Sequence, residues 1–158
     1  MVRAVMDADA LRRGALVLSR VFCVAAGGFL FVDTVAALVF TRFELSVGDD
    51  LPHQTWTFFF AFNTWHHLLH LVTSSLLLVA ALRREWAPLG ALVFGAVYVV
   101  LAPAGFVDGN DAFDVFYSSA RENWVHAMLA VEGVGLGWLG LQALDTRDRA
   151  AKRLDPGS

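Results

Sequence analysis

The sequence predicts an all-α integral membrane four-helix bundle, and three observations carry that prediction. The 158-residue chain is 57% hydrophobic and only 17% charged, with mean hydropathy +0.56. Soluble domains carry about 25% charged residues. Four long apolar runs stand at about residues 15–40, 57–82, 87–107 and 123–144. Each supplies about 20 residues or more, enough to cross a hydrocarbon core of about 30 Å. The charged residues gather in the segments between and beyond those runs. Inside lipid every backbone group must pair within the protein, so the runs are read as helices.

Residues 1–14 form a short polar arm with Arg3, Asp7, Asp9, Arg12 and Arg13. Asp7 or Asp9 is a candidate cap for an interfacial turn there. The first apolar run far exceeds the h-region of about 7–15 residues in a signal peptide, so it reads as a retained span. Arg20 is near enough to the inner end of that span to snorkel to the headgroups. Asp33, about two-thirds of the way along, is not. A polar loop with Arg42, Glu44, Asp49, Asp50 and His53 leads to span two, which stops at Arg83-Arg84-Glu85. Pro88 suits the first turn of span three, and Pro103 is expected to kink or end it. Residues 108–122 read as a second acidic loop before span four. The charged tail, 145–158, is expected to fray after one or two turns.

Orientation follows from the basic residues. The arm with Arg20, the Arg83-Arg84 turn and the tail hold ten of the twelve Lys and Arg residues. The positive-inside rule then puts both termini in the cytoplasm of a multi-pass cell-membrane protein. The loops carrying Glu44, Asp49, Asp50, Asp108, Asp111, Asp114 and Glu122 face outward. Trp56, Trp65 and Trp124 fall near the outer interface and Trp86 near the inner one.

Several function classes drop out. A net charge of −3, with the basic residues at the ends and one turn, argues against nucleic-acid binding. Cys23 is the single cysteine, so there is no intramolecular disulfide and no cysteine-based metal or redox motif. There is no Walker A loop and no G-x-G-x-x-G. Asp108-Gly-Asn110-Asp111 with Asp114 resembles a calcium loop at first sight. Phe113 and Ser119, however, occupy the positions where an EF-hand needs glycine and glutamate.

The polar focus is Asn63-Thr-Trp-His66-His67-Leu-Leu-His70, inside span two. At 100° per residue, Asn63, His66, His67, His70 and Ser74 fall within an arc of about 100° on a helix. Span four opens similarly, with Asn123-Trp-Val-His126. The offset suggests two repeated helical hairpins, pairing Asn63 with Asn123 and His66 with His126. Asp33, Asn63, His66, His67, His70, Asn123, His126 and Glu132 are the candidate site residues. His66, His67 and His126 fall in the outer half of the bundle, with His70 and Glu132 nearer the middle. A buried aspartate at a span centre costs about 2.5–3.5 kcal/mol on insertion scales. Asp33 therefore calls for a partner, and a histidine is the obvious one. Glu132 is turned about 120° from His126 on span four.

Three roles compete for this cluster. It can be hydrogen-bonded glue between helices, each bond worth about 0.6 kcal/mol on average. It can hold a haem or a metal ion, with His66, His70 and His126 as the metal candidates and a span-two histidine facing His126 for a haem. It can relay protons or pass a small solute. The leading reading is a non-enzymatic or accessory membrane protein, with the lipid bilayer as its expected partner. Gly133-x-x-x-Gly137, with Gly135 and Gly140, gives span four a small-residue face. Close packing inside the bundle is its first reading, and a homo-oligomer contact through Gly133 and Gly137 is the second.

At Asn63-x-x-His66-His67-x-x-His70 and Asn123-Trp-x-His126, the chain resembles a family of small prokaryotic four-span membrane proteins known only as a domain of unknown function. The resemblance covers about residues 15–145. It implies a membrane location and no assigned activity. Asn63, His66, His70, Asn123 and His126 match its recurring polar positions. The family pattern has glycine soon after the last histidine, where this chain has Ala127-Met128-Leu129.

Overall fold

A computed structural model describes residues 2–40, 42, 63–108, 111–117 and 119–154 of the protein. They form four helices and one short hairpin: α1 (Val2–Phe40), α2 (Thr64–Ala81), α3 (Ala87–Val107), β1 (Asp111–Ala112), β2 (Phe116–Tyr117) and α4 (Ala120–Leu154). The chain is an all-α bundle. By length and composition, α1, α3 and α4 can each cross a membrane. α2 does not join them among the described residues, because three histidines interrupt its apolar stretch. The loop residues Glu44, Asp49, Asp50, His53 and Trp56, and residues 57–62 expected to open span two, lie outside the described set.

Local sequence explains most of the boundaries. The polar arm does not form a separate turn. It is the start of α1, which runs unbroken from Val2 because nothing between there and Phe40 is proline. α2 begins where Asn63 caps it. Its side-chain Oδ1 accepts a hydrogen bond from the His66 N–H at 2.9 Å. Asn63 is thus the cap of the helix and not a member of its polar face. α3 opens with Pro88 in its first turn, where no N–H is needed. It continues through Pro103 to Val107 and does not end at the proline. The segment read as an acidic loop folds into a tight hairpin, with Asp111 opposite Tyr117 and Ala112 opposite Phe116. Asp108 Oδ2 accepts the Phe113 N–H at 3.2 Å. Phe113 and Asp114 turn the chain with φ of 61° and 55°. α4 starts at Ala120, three residues before the expected start, and continues into the charged tail as far as Leu154.

α3 packs along α4 and α1 along α2, while α1 also touches α3 and α4. The shared core contains Phe22, Cys23, Leu77, Phe94, Tyr98 and Ala130, with contributions from all four helices. Outside it, large apolar side chains such as Val32, Leu89 and Val131 are exposed. An apolar exterior this extensive suits lipid and not water.

The α3–α4 contact depends on missing side chains. A Cβ on Gly133 would stand 2.8 Å from Gly95 Cα and 2.9 Å from Ala91 O. A Cβ on Gly137 would stand 2.5 Å from Leu92 N. Gly133 and Gly137 therefore face α3 inside the subunit. Gly135 and Gly28 have no such neighbour within 4 Å. Gly133→Leu should force α3 and α4 apart and destabilise the bundle by at least about 3 kcal/mol, beyond ordinary overpacking. Gly135→Leu should change stability by less than about 0.5 kcal/mol. Thermal unfolding of both variants in mild detergent checks the contrast.

Candidate metal centre

Four polar side chains converge at the start of α2 and α4. His66 and His70 come from successive turns of α2, and Glu122 and His126 from successive turns of α4. In each pair the spacing of four residues stacks the side chains on one helix face. All four residues are buried. One ligand atom from each lies within 4.8 Å of every other. His66 Nε2 is 3.0 Å from His70 Nε2 and 3.4 Å from Glu122 Oε1. Glu122 Oε1 is 3.5 Å from His126 Nε2. Among the described residues, His126 Nε2 is buried without a hydrogen-bond partner, and the Glu122 carboxylate, buried beside the Ser119 backbone, makes no side-chain hydrogen bond.

The hairpin determines how His66 presents itself. The Tyr117 carbonyl oxygen lies 2.7 Å from His66 Nδ1. A carbonyl only accepts, so Nδ1 must carry the proton. In the neutral ring, Nε2 is then the acceptor nitrogen, 3.0 Å from His70 Nε2 and 3.4 Å from Glu122 Oε1. The same hairpin accepts a bond from α2's cap, with Asn63 Nδ2 donating to Val115 O at 2.6 Å. Asn63 thus joins helix start to hairpin, and the hairpin joins to the first histidine.

Aromatic rings wall the cluster. Tyr98 of α3 presents its edge to His126, with centroids 4.9 Å apart, and lies parallel to His70 at 6.3 Å. Phe94 stacks beneath it at 4.3 Å. Phe116 of β2 meets His66 edge-on at 6.4 Å. The His66 and His126 rings are 5.2 Å apart.

The other candidates take different places. His67 and Asp33 are buried, but neither belongs to the four-residue set. Asn123 is fully buried in the first turns of α4, against Gly105 of α3, where a Cβ would collide with its side chain. Asn63 caps its helix and Asn123 lies within one, so the two similar motifs occupy different helical positions. Glu132 is exposed on the outside of α4 and takes no part in the cluster. Glu122 is the residue that sequence reasoning missed. It was read as part of an outward loop, yet it is 2% exposed. Two signals could have found it. Ser119-x-x-Glu122 has the spacing of a helix-start box, and Glu122 precedes His126 by one turn.

The cap and tether at Asn63 can be separated by substitution. Asn63→Ser keeps an oxygen able to cap α2 and loses the amide donated to Val115. Asn63→Ala loses both, and should be less stable than Asn63→Ser by about 1 kcal/mol. Equilibrium unfolding of the two variants in detergent measures the difference.

Comparison with known proteins places the chain more firmly than it explains it. No curated protein and no solved structure matches it. The sequence profile of DUF4383, a domain of unknown function, matches residues 12–139, a stretch that takes in the convergent cluster and parts of all four helices. The chain belongs to the DUF4383 family.

Proposed function

We propose that this is a membrane protein that binds a transition-metal ion of the zinc class through His66, His70, Glu122 and His126. The observation that carries the reading is the convergence of four buried ligand atoms on one point. Four ligands about 2.0–2.2 Å from a tetrahedral zinc ion stand about 3.3–3.6 Å apart. Separations of 3.0, 3.4 and 3.5 Å lie close to that spacing, and all four ligand atoms lie within 4.8 Å of one another. Three imidazole nitrogens with one carboxylate oxygen are a donor set that suits zinc and its first-row neighbours. The carbonyl at His66 Nδ1 is the kind of outer partner that selects a ligating tautomer.

A buried carboxylate facing an imidazole lone pair is repulsive unless a cation or a proton stands between them. A metal ion answers all four groups at once. Haem fits less well. Its two axial histidines face each other across a macrocycle, whereas the His66 and His126 rings have centroids only 5.2 Å apart. Four protein ligands make a closed site, which favours a structural or ion-holding role over catalysis. Such an ion would tie the starts of α2 and α4 together beneath the hairpin.

In this reading the protein spans the membrane four times, with α2, 18 residues long, as the remaining span. Both termini lie in the cytoplasm and the metal centre lies towards the outer face.

Protein purified in mild detergent without chelator should contain about one equivalent of metal by elemental analysis. Glu122→Gln and His126→Ala should each weaken binding at least about 100-fold, since even outer-shell changes cost 10–100-fold. Glu132→Gln should bind like the wild type. Bound metal should leave as the pH falls, because imidazole ligates only when deprotonated. A metal-free protein that takes up no zinc, cobalt or nickel at neutral pH would overturn the reading and leave a shared proton as the cation.

A further inference from the structure

A separate feature lies at the other end of α2, about 22 Å along the helix from His66. Arg20 of α1 donates from Nε to the carbonyl oxygen of Ala81 at 2.9 Å. Ala81 is in the last turn of α2, where helix carbonyls lack intrahelical partners. The bond uses one of five guanidinium N–H donors and fixes the group in place. Arg84, from the turn between α2 and α3, lines the same groove. Its neighbour Arg83 is instead directed over the Trp86 ring, 4.6 Å from the centroid.

The groove measures about 650 Å³, and its other walls are Val17, Val21, Val24 and Ala25 of α1. None of its lining residues is acidic. Its depth follows from the backbone. Irregular chain exposed to lipid is not tolerated within the hydrocarbon, so the α2–α3 turn marks the headgroup level. Arg20 is tied to that level, and Val21, Val24 and Ala25 lead from it along a helix long and apolar enough to cross the bilayer.

We propose that this groove binds an anionic phospholipid, with its phosphate held by Arg20 and Arg84 and an acyl chain lying along Val21, Val24 and Ala25. Two guanidinium groups with no opposing carboxylate complement a phosphate, which arginine can grip through paired N–H donors. Basic pockets between membrane helices at the cytoplasmic level are a recurrent form of headgroup site. The apolar wall restricts the occupant to a lipid, since a free phosphate would gain nothing from it.

The test is native mass spectrometry of the full chain in detergent, titrated with dioleoylphosphatidylglycerol or dioleoylphosphatidylcholine. Phosphatidylglycerol should bind more tightly. Arg84→Gln, which leaves the Arg20–Ala81 bond intact, should weaken it about fivefold, and Arg20→Gln with Arg84→Gln by about fivefold per arginine. Arg12→Gln with Arg13→Gln removes the same charge away from the groove and should leave the preference in place. Equal binding of the two lipids, or an equal loss in that control pair, would overturn the proposal. So would displacement of the lipid by millimolar glycerol phosphate, which would mean an anion site without a lipid component.

Discussion

Buried polar groups that face one another inside a protein need a proton or a cation between them, and this bundle brings four side chains able to offer ligand atoms to one place. Two pairs of residues one helical turn apart do the converging. His66 and His70 supply one edge from α2, and Glu122 and His126 the other from α4. Everything nearby serves that meeting. Asn63 sets where α2 begins, the hairpin fixes the His66 ring, and Tyr98 closes the side towards α3. Polar groups buried so thoroughly in an apolar bundle are costly unless something satisfies them, which makes the cluster the most demanding part of the fold.

The rest of the bundle is held by close approach. Where α3 and α4 cross, Gly95, Gly133 and Gly137 remove the side chains that would keep the backbones apart. In lipid there is no gain from hiding apolar surface, so contacts of this kind carry the association of helices. The glycines on span four do this inside one subunit. The same packing positions Ala130 and the residues above it, so that His126 arrives level with Tyr98.

Much of this was legible in the sequence, because hydropathy and charge distribution are strong signals in membrane proteins. The helices, the small-residue contacts and the gathering of His66, His70 and His126 could all be anticipated from spacing. Glu122 could not be reached from hydropathy, since a charged residue beside Arg121 in an acidic stretch resembles a solvated loop. Its burial is a tertiary fact, set by where α4 starts and what α2 places opposite. Asn63 was misplaced for a related reason. Helical periodicity treats every residue in a run alike, whereas an asparagine at its edge is better used as a cap. Glu132 stood out in the sequence as an intramembrane acid, but its position on the helix directs it outward.

The hairpin contributes to the cluster without contributing a side chain. Val115 meets Asn63, and Tyr117 meets His66, through carbonyl oxygens alone. Every amino acid carries that oxygen. What natural selection must preserve in this segment is the path of the chain and not the lettering at those two positions. The grip on the histidine is therefore a property of the fold of the hairpin, which a substitution at either position can leave in place while the chain keeps its course.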